Sequence, residues 1–394
     1  MIKRIDVSSL QLGVYIHDLD CPWTEHNFFS NSFLVNSEPL LRRVQQSGIR
    51  SLLIDTSKGC DVAEVAAPKP AAAPEPAKTS ARKPAHYPAA GEFGRAKKLV
   101  TQASGIIKHL MHEVRLGKQA QISGLEPVAE SLVQACLRNH HALNGISRLK
   151  HKDEYTFMHS VSVAGLLIAF GRDLGMGEDE LRQLALGGLL HDIGKARVPD
   201  RVLNKPGRLA PGEFEIMRQH VSLGVEMIAS IQGLGTIPLE VTQLHHEKID
   251  GSGYPQGLKD AQISQVGQMA AIVDVYDALT SERVYKSAWQ PTATLKSMLE
   301  WSPKDLSRRL VESFVHCLGI YPVGSMVQLE SGLVALVIDQ TQDLLRPVLR
   351  LAYDARKNCR IPLQDVDISR EMSADRVVHI IDPSKFGLNP VQIF

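Results

Sequence analysis

Residues 178–195 read Glu-Asp-Glu-Leu-Arg-Gln-Leu-Ala-Leu-Gly-Gly-Leu-Leu-His-Asp-Ile-Gly-Lys. Leu181, Leu184, Ala185 and Leu189 recur at three- and four-residue spacing, so the stretch predicts a helix over Glu178–Leu190 that buries one stripe. The helix runs straight into His191-Asp192 and then Ile193-Gly194-Lys195. Two adjacent polar residues cannot share one helix face, but at a helix end the backbone can turn both toward one point. An imidazole offers one nitrogen to a cation, whereas a carboxylate has two oxygens and can bridge two cations.

The same texture extends to either side. Apolar residues keep the helical period over Ala96–Leu116, Val128–Leu137, Thr156–Phe170, Glu213–Ile231, Pro238–His246, Val266–Leu279 and Ala293–Leu299. Breaks fall at Gly175-Met-Gly177, Lys205-Pro-Gly207 and Gly251-Ser-Gly253. From about Tyr321 the period becomes that of strands. Met326–Leu329 and Leu333–Ile338 flank a Ser331-Gly332 turn, and Arg346–Leu351 and Val377–Ile381 continue the pattern. Upstream, residues 66–90 hold ten Ala and six Pro, with no Ile, Leu, Val, Met or Phe, and read as an exposed semi-rigid linker. Ahead of it, strand-like runs around Ile5, Val7, Val14, Ile16, Phe33–Val35 and Ser51–Asp55 enclose a short helix, Leu40–Gln46. The expected fold class is therefore mainly α. A small α+β N-terminal domain (1–65), a Pro/Ala-rich linker (66–95), an all-helical catalytic domain (96–319) and a β-rich C-terminal extension (320–394) make up its organisation.

Bulk composition removes several functional classes. With 44 Lys and Arg against 43 Asp and Glu, the formal charge is +1, which argues against gripping long nucleic acid. No apolar run approaches the roughly 18 residues of a membrane helix, and the first residues lack a signal core. Five scattered cysteines without a C-x-x-C pair fit a reducing, cytoplasmic setting and exclude a thiolate zinc site.

The histidines, by contrast, are gathered. His159, His191, His220, His245 and His246 fall within 88 residues, each inside or at the end of a predicted helix. His159 shares a face with Val163, Leu166 and Phe170, and His220 with Met217, Val221, Gly224 and Met227. A lone core histidine is usually just hydrogen-bonded, but several converging on one core need a common partner. A metal ion is such a partner. Asp274, on an otherwise apolar helix after Ala270-Ala-Ile-Val273, would be costly without one. His245-His246-Glu247 leads into Lys248-Ile-Asp250-Gly251-Ser-Gly253-Tyr254-Pro255, again at a helix end beside a glycine-rich loop. Mixed His and Asp ligands without thiolates suit Fe, Mn, Zn or Ni, and ligand type alone does not choose.

His191-Asp192-Ile-Gly-Lys195 followed some 50 residues later by His245-His246-Glu247 and Gly253-Tyr254-Pro255 resembles the HD-GYP subgroup of HD-domain phosphohydrolases. The likeness covers roughly Ala96–Gly319. It implies an HD-type helical fold and hydrolysis of cyclic di-GMP, a bacterial second messenger of motility and biofilm formation, to linear pGpG or GMP. By the resemblance, His159, His191, Asp192 and Asp274 hold one divalent metal and His220, His245 and His246 a second, with Asp192 bridging. The metals would be Fe or Mn, with Ni and Zn as alternatives. Some members hold a third metal through a Glu four residues before the first histidine; here that position is Tyr155, with Glu154 one residue out of register. Asp192 and Lys195 are the implied catalytic pair, and Lys195, Arg283 and Lys286 the implied phosphate contacts.

Two cations about 3.5–4 Å apart would activate a bridging water and stabilise both the attacking and the leaving oxygen. Glu247 and Asp250 either orient imidazoles or cap the loop. Tyr254 either stacks on a base, docks a partner or packs in the core. Implied partners are cyclic di-GMP and a GGDEF-type cyclase or other signalling protein, docked through the Gly-Tyr-Pro loop or the N-terminal domain; a homodimer is also allowed. The competing readings are a phosphohydrolase of another cyclic dinucleotide or nucleotide, and a non-catalytic cyclic-di-GMP sensor.

Overall fold

The computed structural model describes residues 2–19, 33–35, 38–45, 49, 51–60, 90–120, 124–148, 155–229, 231, 233–281, 288–341, 343–370 and 375–394. Residues 66–89 of the expected linker (66–95), and Cys21, His151, Glu154, Arg283 and Lys286, lie outside them, while 90–95 are helical and not linker. The chain divides into two units, Met1–His86 and Tyr87–Phe394.

In the first unit, β1 (Ile2–Asp6), β2 (Tyr15–Asp18), β3 (Phe33–Leu34) and β4 (Ser51–Asp55) form an antiparallel sheet of order β1-β4-β2-β3, joined by α1 (Glu38–Gln45). Alternation on β4 buries Leu52 and Ile54, which join Leu10, Val14, Ile16, Leu19, Val35 and Val44 in a core. Val7, read as part of a strand, instead opens a 3-10 turn because the Asp6 carboxylate accepts from the Ser8 amide at 2.9 Å.

The second unit begins with α2 (Ala90–Arg115), α3 (Glu126–Arg148), α4 (Tyr155–Asp173) and α5 (Glu178–Leu190). After a 3-10 helix at Ile193–Arg197 come α6 (Asp200–Leu203), α7 (Pro211–Ala229), α8 (Thr236–Leu244), α9 (Gln265–Thr280), α10 (Pro291–Trp301) and α11 (Arg308–Leu318). α3 carries His140 and His141 beyond a kink at Asn139. Along α4, every residue from His159 to Gly171 is buried, and α9 is nearly as dry. A helix apolar on all sides must run through the middle of its domain. α4 accordingly packs against α3, α5 and α9, so that His159 and Asp274 are delivered to the interior.

Beyond α11, β5 (Met326–Leu329), β6 (Leu333–Asp339), β7 (Val348–Asp354), β8 (Cys359–Asp367) and β9 (Val377–Ile380) form an antiparallel sheet of order β8-β7-β6-β5-β9, followed by α12 (Pro390–Ile393). The Ser331-Gly332 hairpin forms as the sequence predicts, pairing Val327 with Ala335. β8 was not legible as a strand: it is an edge, mostly exposed, and carries Pro362, so neither apolar alternation nor propensity marks it. Among the described residues, no helix is long and apolar enough to cross a membrane.

One close approach fixes the site. The 3-10 helix after α5 lies so near α7 that a Cβ on Gly194 would stand 1.9 Å from the His220 carbonyl oxygen and 2.6 Å from the Gly224 amide. Both obstacles are backbone, so neither can swing away. Gly194→Ala is expected to cost about 1–3 kcal/mol or more through overpacking, and to push α7 off the 3-10 helix. A lowered Tm together with weaker metal retention in the full chain would show it; an unchanged Tm would contradict it.

Candidate metal centre

Helix α5 ends with His191 as its last αR residue, and Asp192 follows at φ −101°, ψ 9°. That bridge-region conformation rotates the next side chain off the helix face. Two neighbours in sequence thereby aim at one spot, as the Gly-Leu-Leu-His-Asp junction allowed. His159 comes from α4, His220 from α7, His245 and His246 from the end of α8, and Asp274 from α9. The structure brings all seven together.

Their donor atoms form two sets. His159, His191 and Asp192 present atoms within 4.8 Å of one another, and so do His220, His245 and His246. Asp192 faces both. Its Oδ2 lies 3.7 Å from His159 Nε2 and 3.3 Å from His191 Nε2, while Oδ1 lies 3.4 Å from His220 Nε2 and 3.9 Å from His245 Nε2. Asp274 does the same more loosely. Its Oδ1 is 3.0 Å from His159 Nε2, and its Oδ2 is 3.6 Å from His246 Nδ1. His246 therefore turns its Nδ1 inward, unlike the other four.

The donor set fits a pair of cations. His191 Nε2 and Asp192 Oδ1 are buried without a hydrogen-bond partner, and such orphans are rare because each costs desolvation. Burial lowers the His220 pKa to about 4 and the His246 pKa to about 3, and drives His245 well down, so all three are neutral with a lone pair to give. Burial would raise Asp192, but Lys195, His191 and His220 outweigh it and hold the carboxyl well below its usual range. Burial is likewise overcome at Asp274 by His159. The outward nitrogens are anchored: His191 Nδ1 to the Gly188 carbonyl at 2.8 Å, His220 Nδ1 to Met217 at 2.7 Å and His245 Nδ1 to Thr242 at 2.9 Å. With these nitrogens as N–H donors to carbonyls, the inward nitrogens are left as acceptors for a metal.

His159 Nδ1 meets Asp277 Oδ2 at 2.6 Å, and Asp277 also accepts from the Ser162 hydroxyl. Asp277, 2% exposed, is the anchoring carboxylate that the sequence reading did not single out. Its signal was present: it stands three residues after Asp274 on the same apolar helix, hence on the same face.

Glu247 and Asp250 resolve differently from an imidazole-orienting role. Glu247 Oε1 accepts from the amides of Gln256 (2.7 Å) and Gly257 (3.2 Å), and Oε2 from Leu258 (3.0 Å), so its carboxylate is the hub of the 247–258 loop. Asp250 Oδ1 caps Ser252, accepting from its amide at 2.8 Å and its hydroxyl at 2.6 Å. Among the described residues neither carboxylate is hydrogen-bonded to an imidazole; both shape the turn, which Gly251 enters at φ +83°. The loop lays Tyr254 on His246, ring centroids 4.7 Å apart, and burial holds its phenol protonated. Lys195 reaches the centre, with Nζ 2.5 Å from Asp192 Oδ2. Arg283 and Lys286 lie outside the described residues, and Tyr155 opens α4 with its side chain likewise outside them.

Comparison with known proteins agrees with this arrangement. Residues 134–304 match the family described as HD domain, a span that includes all seven donors. Residues 2–124 match the Domain of unknown function (DUF3391), a span that reaches beyond the expected 1–65 domain and includes all of α2. The chain is 38% identical to a cyclic di-GMP phosphodiesterase of Pseudomonas aeruginosa over 96% of its own length and 92% of that protein. It is 36% identical to a cyclic di-GMP phosphodiesterase of Thermotoga maritima over 42% of its length and 45% of that protein. A 3′3′-cGAMP-specific phosphodiesterase of Vibrio cholerae is 38% identical over 35% of this chain and 27% of that protein.

Asp277→Ala is expected to weaken metal retention roughly 10- to 100-fold, the usual effect of losing such an anchor. Competition against a graded chelator measures it, and retention equal to the wild type would show that His159 needs no such support. With a full-length relative and a domain match on the same residues, the chain belongs to the HD-GYP family of HD-domain phosphohydrolases, its HD domain preceded by DUF3391.

Proposed function

We propose that this chain is a cyclic di-GMP phosphodiesterase that acts in the bacterial cytoplasm, opening the cyclic dinucleotide to linear pGpG and onward to GMP. The observation that carries the reading is the division of Asp192 between two sets of buried imidazoles, one oxygen to each. Full-length similarity to a relative named for this substrate supports it. His159, His191, Asp192 and Asp274 would hold one divalent ion and His220, His245 and His246 the other, with Asp192 shared. Iron or manganese suits the His and Asp donors. Once bound, such a pair lowers the pKa of a shared water and stabilises the attacking and leaving oxygens of an in-line displacement.

The chain's own groups do the rest. Lys195, partly exposed and braced on Asp192, offers its remaining N–H donors to a non-bridging phosphate oxygen. Arg283 and Lys286 are assigned to the same phosphate through the family motif. Asp277 and the carbonyls of Gly188, Met217 and Thr242 hold four of the imidazoles in fixed orientation. Tyr254, a protonated phenol against His246, closes one side. No reorganisation is then required when charge develops on the phosphate.

A second reading, hydrolysis of 3′3′-cGAMP, is favoured by the relative specific for it and is an outcome of the same assay. Metal-loaded protein kept anaerobic and reducing is given cyclic di-GMP and 3′3′-cGAMP in competition, with products separated by chromatography. Cyclic di-GMP is expected to disappear first, and Asp192→Ala to slow the reaction by on the order of a hundredfold or more. Cyclic di-GMP left intact over hours, or an Asp192→Ala variant with full turnover, would overturn the reading.

A further inference from the structure

Tyr254 is one member of a stack that leads away from the metal centre. Its ring lies 4.7 Å from that of His246, and the guanidinium carbon of Arg218 sits 4.7 Å from the Tyr254 ring centroid. The same guanidinium is 5.9 Å from the ring of Phe214, which meets Tyr254 nearly edge-on at 6.2 Å. Arg218 is thus seated in the corner of two aromatic rings, one half-buried and the other, Phe214, 45% exposed. Among the described residues, Phe214 is one of nine large apolar side chains left open to solvent.

This arginine is held rigidly but used sparingly. Phe214, Arg218 and His220 stand on one helix, α7, and Arg218 is two residues from the metal donor. Two aromatic contacts fix the guanidinium plane. Among the described residues, its hydrogen bonding is one N–H to Glu215 Oε1 at 3.0 Å, and that carboxylate is itself 65% exposed. Exposed pairs of this kind are weak. Of the five donors in the guanidinium fork, most remain for a ligand.

Geometry then relates this shelf to the reaction. A cyclic dinucleotide whose phosphate is at the His and Asp donors must rest its bases on the walls beside them, one sugar away. Beside the His220, His245 and His246 set stands Tyr254, with Arg218 and Phe214 against it. Guanine offers two adjacent acceptors, O6 and N7, which arginine fills in a bidentate way; adenine offers N7 beside an amino donor, which faces the guanidinium with a donor instead. We propose that Arg218 is the guanine-reading residue of this phosphodiesterase, with Phe214 as the stacking face for the same base. The assignment rests on the phosphodiesterase reading above and gives it a base specificity.

The test is a ratio, which a merely structural defect does not move. Full-length, metal-loaded wild type, Arg218→Gln and Phe214→Ala are assayed for kcat and KM with cyclic di-GMP, 3′3′-cGAMP and cyclic di-AMP, with metal content verified for each. The guanine-over-adenine ratio of kcat/KM is expected to fall about tenfold in Arg218→Gln, mainly through KM, because glutamine pairs with the N6 and N7 of adenine. Phe214→Ala is expected to raise KM for all three alike, since stacking is tolerant of base identity. An Arg218→Gln ratio equal to that of the wild type overturns the proposal while leaving the phosphodiesterase reading intact. Should the wild type hydrolyse none of the three, that parent reading fails. Equilibrium titration with cyclic di-GMP and cyclic di-AMP then decides Arg218 by the same ratio.

Discussion

Asp192 offers one carboxylate oxygen to His159 and His191 and the other to His220 and His245, and the rest of the helical unit is arranged around that division. Five helices must end or cross within reach of a single side chain. α4 supplies its donor from its second turn, α5 and α8 by terminating, α7 by pressing its backbone against Gly194, and α9 by carrying Asp274 through an apolar face. The cost is severe: the centre collects five imidazoles and two carboxylates almost entirely out of water. Burial keeps His220, His245 and His246 neutral, while Lys195 and the imidazoles keep the carboxylates charged. Cations at the two donor sets would resolve that conflict between desolvation and charge.

The anchoring contacts follow from the same constraint. A buried imidazole with both nitrogens loose would be neither oriented nor in a defined tautomer. Carbonyls one turn back along the same helix capture three of the Nδ1–H groups, so α5, α7 and α8 orient their own histidines without outside help. His159, in the second turn of α4, instead turns its Nδ1 to a carboxylate of another helix. Asp277 is that carboxylate, one turn beyond Asp274 on α9.

Much of this was legible in the residues, for identifiable reasons. The helix over Glu178–Leu190 and the turn carrying His191 and Asp192 to one point follow from apolar spacing and helix-end geometry. The hairpin at Ser331-Gly332 follows from its turn chemistry. What was not legible depends on tertiary partners. β8 has the composition of a solvated segment and is a strand only because β7 pairs with it. Glu247 and Asp250 could face an imidazole or a loop amide at equal local cost, and the course of the 247–258 backbone decided for the loop. Asp277 was hidden in a stretch notable for its cations, although its spacing from Asp274 was available. Arg218 and Phe214 carry no motif at all, since their relation to Tyr254 exists only once the loop is laid against α7.

The central claim is that one carboxylate serves two metal ions. Elemental analysis of the full chain, purified anaerobically and loaded with manganese, combined with electron paramagnetic resonance, tests it most directly. The account predicts two ions per chain with mutual magnetic coupling that is lost in Asp192→Ala. One ion per chain, or two that remain uncoupled in the wild type, would contradict it.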